Sequence, residues 1–497
     1  MPSTPAFKRF RLHIGLVIAL RLLATHGPSA LQASDPVVAS KAYAQSNLEN
    51  DFRYLDEADV EKSFLGESLK RLQPTDQLTI DLGGQYRMRF HNENNIRGQR
   101  LAGRSDDFLL HRTRVFADMH WGDNLRLFAE AIDATSDGNE FTPSVTEVNR
   151  FDAQNLALDA RLMSDDEGYE WWVRGGRQEL YLGSQRLVSN RPWRNTPLNH
   201  DGVRTWVESD DTRVDAFWVQ TLNASQHIPE DHNFDSPDTS KHFFGVFMKH
   251  EVKDRLHEFY YYGLIDEDPV ALNFAGDAGN FDIHTIGGRT KRSYDDTHVE
   301  IEGGYQFGNY ADLTQSAGFF TGGIGRTLAK SGFPTAVWLY YDWASGDDDL
   351  NDGTHGTFHP LNPRGHYYLG AADLTGRQNL HDLNLQVSTK LTDKLQFNAA
   401  LHNYWLANRR DAVYSIGGSP TYQDPSGSAS RQLANELDLQ LRWTISPRTQ
   451  FIGGYTYLWA GDYFDSPVIQ GGPAGIAPNG ATGGEGEFTY VQFSLRF

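Results

Sequence analysis

The chain of 497 residues contains no cysteine. That absence removes disulfide frameworks, thiolate metal sites and cysteine nucleophiles together. Long apolar runs are scarce as well. Mean hydropathy is −0.55, and the one extended apolar stretch lies near the N-terminus, which excludes a bundle of transmembrane helices. Basic residues are in deficit, 45 Lys and Arg against 65 Asp and Glu, for a formal charge of −20. So acidic a chain is a poor partner for nucleic acid. Glycine is abundant, at 47 residues, and so are aromatics, with 29 Phe, 22 Tyr and 11 Trp. Aromatics at that density in so polar a chain fit a large soluble β protein or a barrel whose strands alternate between lipid and water.

Alternation of period two decides between these. From Leu78, the residues Leu78, Ile80, Leu82, Gly84, Tyr86, Met88 and Phe90 share one face, and Thr79, Asp81, Gly83, Gln85, Arg87, Arg89 and His91 share the other. A soluble sandwich strand runs roughly five or six residues, whereas a tilted bilayer-crossing strand needs about nine to eleven. The same pattern recurs from His298 to Phe307, from Asp382 to Lys390, from Leu395 to Leu401 and from Glu436 to Trp443. Strand starts fall near 78, 108, 125, 151, 170, 203, 213, 242, 256, 281, 297, 317, 335, 381, 394, 434, 449 and 488. These predict an all-β fold, a transmembrane antiparallel β-barrel of about 18 strands.

Connection lengths alternate too. Trp121 to Asn124, Glu208 to Thr212, Glu251 to Asp254, Thr392-Asp393 and Ser446-Pro447-Arg448 are short turns rich in Asp, Asn, Gly and Pro. The intervening connections are longer, from about nine residues (Gly308 to Ser316) up to Ser345 to Leu380. Short periplasmic turns and long extracellular loops mark a bacterial outer-membrane barrel. The N-terminus fits that location. Residues 1–33 carry Lys8, Arg9 and Arg11, then an apolar stretch from Ile14 to Ala24 interrupted by Arg21, then Ala30-Leu31-Gln32-Ala33, the pattern of a cleaved signal peptide. Its removal leaves a charge of about −24. Residues 34–77 read as a partly helical N-terminal periplasmic extension, with Leu55, Val60, Phe64, Leu65 and Leu69 among charges, and 78–497 as the barrel. The chain ends on an alternating strand, Thr489 to Phe497. Ten of the eleven tryptophans sit in or beside predicted strands, as aromatic girdles require, and Trp193 is the exception.

Catalytic patterns are missing. His250-Glu251 with His257 lacks zincin spacing, Gly322-Gly323-Ile324-Gly325 is no phosphate loop, and no Gly-x-Ser-x-Gly elbow occurs. No enzyme activity and no cofactor are expected. Asp347, Asp349 and Asp352 lie in an acidic run whose glycine, Gly353, falls one place late for a calcium loop. They are a candidate for a loosely bound surface Ca2+ ion, against a merely solvated loop. The inner faces of the strands say more. Arg87, Arg89, Arg112, Arg114, Arg126, Arg161, Arg174, Arg204 and Arg442 would project into the lumen and line a path for anions. The competing reading pairs them with Asp118, Glu130, Asp159, Glu300, Glu302 and Asp438, so that they only satisfy the wall.

Several stretches resemble the alginate export family of outer-membrane porins. They include Asp51-Phe52-Arg53-Tyr54-Leu55, Leu82 to Arg89, Arg112-x-Arg114, Gly176-Arg177-Gln178-Glu179 and Asp201-Gly202-Val203-Arg204. The most specific is Tyr341-Asp342-Trp343-Ala344-Ser345-Gly346-Asp347-Asp348-Asp349, continuing through Gly365-His366-Tyr367-Tyr368-Leu369-Gly370 to Arg409-Arg410-Asp411-Ala412. The resemblance implies a monomeric eighteen-stranded barrel in the outer-membrane bilayer, with an electropositive constriction passing an anionic polysaccharide such as a polyuronate, and with periplasmic secretion partners. The alternatives are a general or small-acid nutrient porin and a structural or adhesive barrel with a plugged lumen. Ser345 to Leu380 and Pro192 to Asn199 are long enough to fold inward and narrow the pore.

Overall fold

A computed structural model describes residues 42–56, 65–222, 234–271, 278–328, 332–349, 351–471 and 484–497. The predicted signal peptide lies outside the described residues, as do Val60 and Phe64 of the N-terminal extension and Leu350 of the acidic run.

Eighteen antiparallel strands form one closed barrel. In chain order they are β1 Leu78–Asn94, β2 Ser105–Trp121, β3 Leu125–Asp137, β4 Asn149–Ser164, β5 Glu170–Gln178, β6 His200–Glu208, β7 Thr212–Thr221, β8 Lys241–Val252 and β9 Arg255–Ala271. They continue with β10 Ala278–Tyr294, β11 Thr297–Tyr310, β12 Leu313–Leu328, β13 Thr335–Ala344, β14 Leu380–Lys390, β15 Leu395–Leu406, β16 Gln432–Ser446, β17 Thr449–Ala460 and β18 Glu485–Arg496. Each pairs with its chain neighbour, and β1 pairs with β18 from Gln85↔Arg496 to Asn94↔Glu487, which closes the ring. The predicted starts at 78, 125, 170, 297, 335 and 449 coincide with observed ones, and the others fall within a few residues.

The pleat explains the sorting of side chains. Outward positions carry exposed apolar groups such as Val115, Leu156, Phe259, Ile286, Ile324 and Leu385, which lipid would cover. Inward positions on the same strands carry buried charge, for example Asp81, Arg87, Arg89 and Glu93 on β1.

One connection differs from expectation. β11 and β12 are joined by a tight turn at Ala311-Asp312 instead of a loop of about nine residues. The residues Gly308, Asn309 and Thr314 have loop composition, yet they stay in the ladder through Gly308↔Gln315, Asn309↔Thr314 and Tyr310↔Leu313. The short strand Thr354–His355 lies parallel on the start of β12 and holds that end extended.

The lumen is not empty. Residues 42–56 fold against the inner wall at the short-turn end, where Ala42, Leu48, Phe52 and Leu55 pack on Phe116, Phe128 and Ala157. Its helical content is two 3-10 turns, Asn47–Glu49 and Arg53–Asp56. From the opposite end, the β5–β6 and β13–β14 connections turn inward and are laced together. Ser189 donates its N–H to the Asn362 carbonyl at 2.8 Å, Asn362 to that of Leu187 at 2.9 Å, and Arg364 to that of Gln185 at 3.0 Å. Leu180, Leu182, Leu187, Val188, Phe358 and Leu361 of these loops share an apolar cluster with Phe217, Phe243, Phe247 and Tyr262 of the inner wall. An apolar patch inside a barrel is stable only when covered, and the loops cover it.

Candidate functional site

The nine arginines singled out by period-two alternation lie along the inner wall, and their partners divide them into two groups. Five are neutralised. Arg114 meets Glu130 at 2.7 Å and Glu179 at 2.5 Å, and Arg126 meets Asp118 at 2.7 Å. Arg161 reaches Glu170 at 2.8 Å, Arg174 reaches Asp159 at 2.6 Å, and Arg204 reaches Asp215 at 2.8 Å. For these five, wall satisfaction is the local chemistry.

Arg87, Arg89, Arg112 and Arg442 have no carboxylate within ion-pair distance among the described residues. The first three grip the tip of the β5–β6 loop through its carbonyls. Arg87 donates to Pro192 O at 3.1 Å and Arg194 O at 2.7 Å, Arg89 to Trp193 O at 2.8 Å, and Arg112 to Arg194 O at 3.3 Å. Arg89 also lies 3.8 Å from the centroid of the Trp193 ring, whose plane stacks on His366 at 3.9 Å. The one tryptophan outside the predicted strands thus sits in the loop tip that these arginines hold against the inner wall. Carbonyl partners satisfy hydrogen bonds without cancelling charge, so the positive field persists.

A cavity of about 1720 Å³ runs past this loop tip. Its lining extends from Arg104, Phe141 and Gly417 at the long-loop end to Pro447, Arg448 and Arg496 at the short-turn end. Fifteen Arg and Lys side chains line it against seven Asp and Glu, which inverts the sign of the chain as a whole. Of the predicted arginines, Arg87, Arg89, Arg112 and Arg442 belong to this lining, while Arg114, Arg126, Arg161, Arg174 and Arg204 do not.

The loops contribute cations that alternation could not disclose. Arg191, Arg194 and Arg364 face the passage with no carboxylate partner among the described residues. Burial pulls the Arg194 guanidinium down to about 10. Burial and the neighbouring Arg194 push Arg191 well below the usual arginine range. Arg97 and Arg186 are balanced by Glu93 with Asp373 and by Glu300 with Glu302. The signal for the loop cations was the length of the two connections, which says that they fold back but not which residues they present.

Among the described residues, the carboxylates of Asp347, Asp349 and Asp352 do not lie together as one group. Asp347 accepts backbone N–H groups of Asp349 and Gly356, Asp349 accepts that of Asn351, and Asp352 accepts that of Thr354. These turn-capping bonds aim the carboxylates at their own chain. Among the described residues, Asp81, Asp118 and His120 are the one group of three potential ligands lying together, and Arg71 and Arg126 already face the two carboxylates.

The family model described as alginate export matches residues 78–471. Among solved structures, the barrel is similar to those of Acinetobacter baumannii OccAB3 (TM-score 0.53, 8% identity, 84% of this chain and 99% of that one) and OccAB1 (TM-score 0.50, 11% identity, 84% and 96%). It is also similar to Pseudomonas aeruginosa OccD3 (OpdP), with a TM-score of 0.51, 10% identity and coverage of 84% and 91%. At such identities the likeness is one of fold alone. No curated protein matches the sequence.

Proposed function

The chain belongs to the alginate export family of outer-membrane channels, and from that premise we propose that it conducts an anionic polysaccharide or oligosaccharide, a polyuronate, along its arginine-lined passage. One observation carries the reading. Of the nine inward arginines, Arg87, Arg89, Arg112 and Arg442 border the cavity and are hydrogen bonded to carbonyls and amides, whereas Arg114, Arg126, Arg161, Arg174 and Arg204 lie away from it and are paired with carboxylates. A wall built only for stability would neutralise both sets.

Arginine suits a polymer of carboxylates because its planar fork takes up a carboxylate through two donors and stays charged at every relevant pH. Successive guanidinium groups give successive weak sites, so one carboxylate can leave a site as the next arrives. The chain's excess acid outside the lumen does not oppose this, since screening over about 8–10 Å confines each field.

The test is single-channel recording from the refolded protein in a planar bilayer, with reversal potential measured in a salt gradient and oligouronate titrated from the short-turn side. Anion-selective current blocked by micromolar oligouronate is expected. Open current indifferent to it would favour a nutrient porin for small solutes, and no current would favour a plugged structural barrel.

A further inference from the structure

Most aromatic side chains along the passage have their faces occupied. Trp193 lies between Arg89 and His366. Tyr368 carries Arg186 at 4.4 Å from its centroid and gives its hydroxyl to the Ser184 carbonyl at 2.5 Å. Trp338 is stacked against Tyr340 and His298, and Tyr490 against Phe488. Two rings differ. Tyr367, on the short helix α1 Gly365–Tyr368 of the inward β13–β14 loop, is 61% exposed although it borders the cavity. Phe141, in the β3–β4 loop at the long-loop mouth, is 39% exposed and borders it too. Each carries a guanidinium: Arg364 lies 4.5 Å from the Tyr367 centroid, and Arg104 lies 4.7 Å from that of Phe141, while Tyr367 also meets Tyr368 in a T-shaped contact at 4.9 Å that leaves it largely exposed.

We propose that Arg364–Tyr367 and Arg104–Phe141 are two saccharide-binding stations, in which the open ring face stacks on the C–H face of a sugar while the guanidinium takes its carboxylate. The inference rests on the polyuronate reading above and specifies what distinguishes that ligand from any other polyanion.

The chemistry follows from the pairing. A pyranose ring presents a face of polarised C–H groups, which is attracted to the electron-rich face of an aromatic ring. A guanidinium stacked on the opposite face holds the ring in place and remains able to donate in its own plane. A uronate satisfies both halves of such a station at once, because its carboxylate is fixed on the ring that stacks. A polypeptide polyanion has carboxylates but no flat C–H face, and satisfies only the guanidinium. Exposed rings in a charged lumen are therefore a device for recognising the sugar, with the surrounding arginines recognising the charge.

Recordings from the full chain test this, using block by an oligouronate and by polyglutamate of matched charge. The readout is the ratio of the two blocking constants. In the wild type, oligouronate is the stronger blocker. Tyr367→Ala lowers the ratio about tenfold, and Phe141→Leu lowers it by a smaller factor. Tyr367→Phe, which keeps the ring, retains the wild-type ratio, and Tyr367→Leu substitutes for the alanine variant if that one does not assemble. An unchanged ratio in both Tyr367→Leu and Phe141→Leu overturns the stations while leaving the polyuronate reading intact. A wild-type channel blocked equally by the two polymers overturns the stations, and one insensitive to oligouronate overturns the polyuronate reading with them.

Discussion

Arg89 gives the sharpest test of how the β5–β6 loop tip is held, because it performs two separable tasks. Its guanidinium donates to Trp193 O at 2.8 Å and lies 3.8 Å from the Trp193 centroid, at a position only 2% exposed. A hydrogen bond from a charged donor contributes about 1.5–3 kcal/mol, and a desolvated cation–π contact about 2 kcal/mol. Loss of both should weaken the anchoring of the loop tip by about 3.5–5 kcal/mol, which raises its detached fraction on the order of a thousandfold. Arg89→Ala is thus expected to show larger mean conductance, more frequent gating transitions and weaker anion selectivity. Arg89→Lys keeps the charge but loses the planar stack. It should show the same gating noise with the reversal potential near that of the wild type. Single-channel traces in a tenfold salt gradient read both quantities from one record. If Arg89→Lys gates like the wild type, or if Arg89→Ala leaves conductance unaltered, Arg89 does not clamp the loop.

The two groups of arginines should respond differently to neutralisation. Arg442, with Gln440 at 3.3 Å as its hydrogen-bond partner among the described residues, contributes field, so Arg442→Gln should reduce anion preference severalfold at unchanged thermal stability, a reduction read from the reversal potential. Arg114→Gln strands Glu130 and Glu179 and should cost about 3–5 kcal/mol of stability, seen as a lower unfolding temperature on heated gels; equal stability of the two variants would contradict the division. The β13–β14 loop should respond to acid. Burial, with Asp411 beside it, raises Asp347 from 3.8 to about 6. The folded loop therefore binds a proton that the unfolded loop has released, stability is full below the lower value, and it is lost as pH rises through about 6. Gating noise should increase between pH 5 and pH 7.5, and Asp347→Asn should abolish that change. Glu49 is raised by burial but more strongly lowered by Arg174, Arg204, Arg213 and Arg126, to about 2. It therefore secures residues 42–56 above its unfolded value of 4.5, and Glu49→Gln should speed tryptic cleavage at the exposed Arg53, with identical cleavage rates counting against that anchoring.

The wall was legible in the sequence because a barrel strand must alternate along its whole length, and a run such as Leu78 to His91 admits one interpretation. The turn at Ala311-Asp312 was not, because Gly308, Asn309 and Asp312 are loop formers by composition and only the pairing across β11 and β12 keeps them extended. Period two told which arginines face inward but nothing about what they meet. Arg126 and Arg442 have the same pattern around them, yet one is matched by Asp118 from the adjacent strand and the other by an amide. Those differences arise from register and from the inward loops. Arg191, Arg194 and Arg364 belong to segments whose length signalled that they fold back and whose conformation depends on contacts between two connections far apart in the chain.

The β1–β18 seam has a kinetic meaning. Neighbouring strands in this barrel are joined by connections that range from the turn at Ala311-Asp312 to the loop between Ala344 and Leu380, except at the seam, where Lys70 Nζ reaches the Phe497 carbonyl across 427 positions and ten rungs join residues 85–94 to 487–496. Bringing such distant segments together costs about 5 kcal/mol in chain entropy beyond a constant, repaid only once the rungs zip. Until then both outer strands carry bare hydrogen-bonding edges. Assembly should therefore end in a single late, cooperative step, and an intermediate that has made seventeen of its eighteen strand pairings remains an open sheet with no lumen through which anything could be selected.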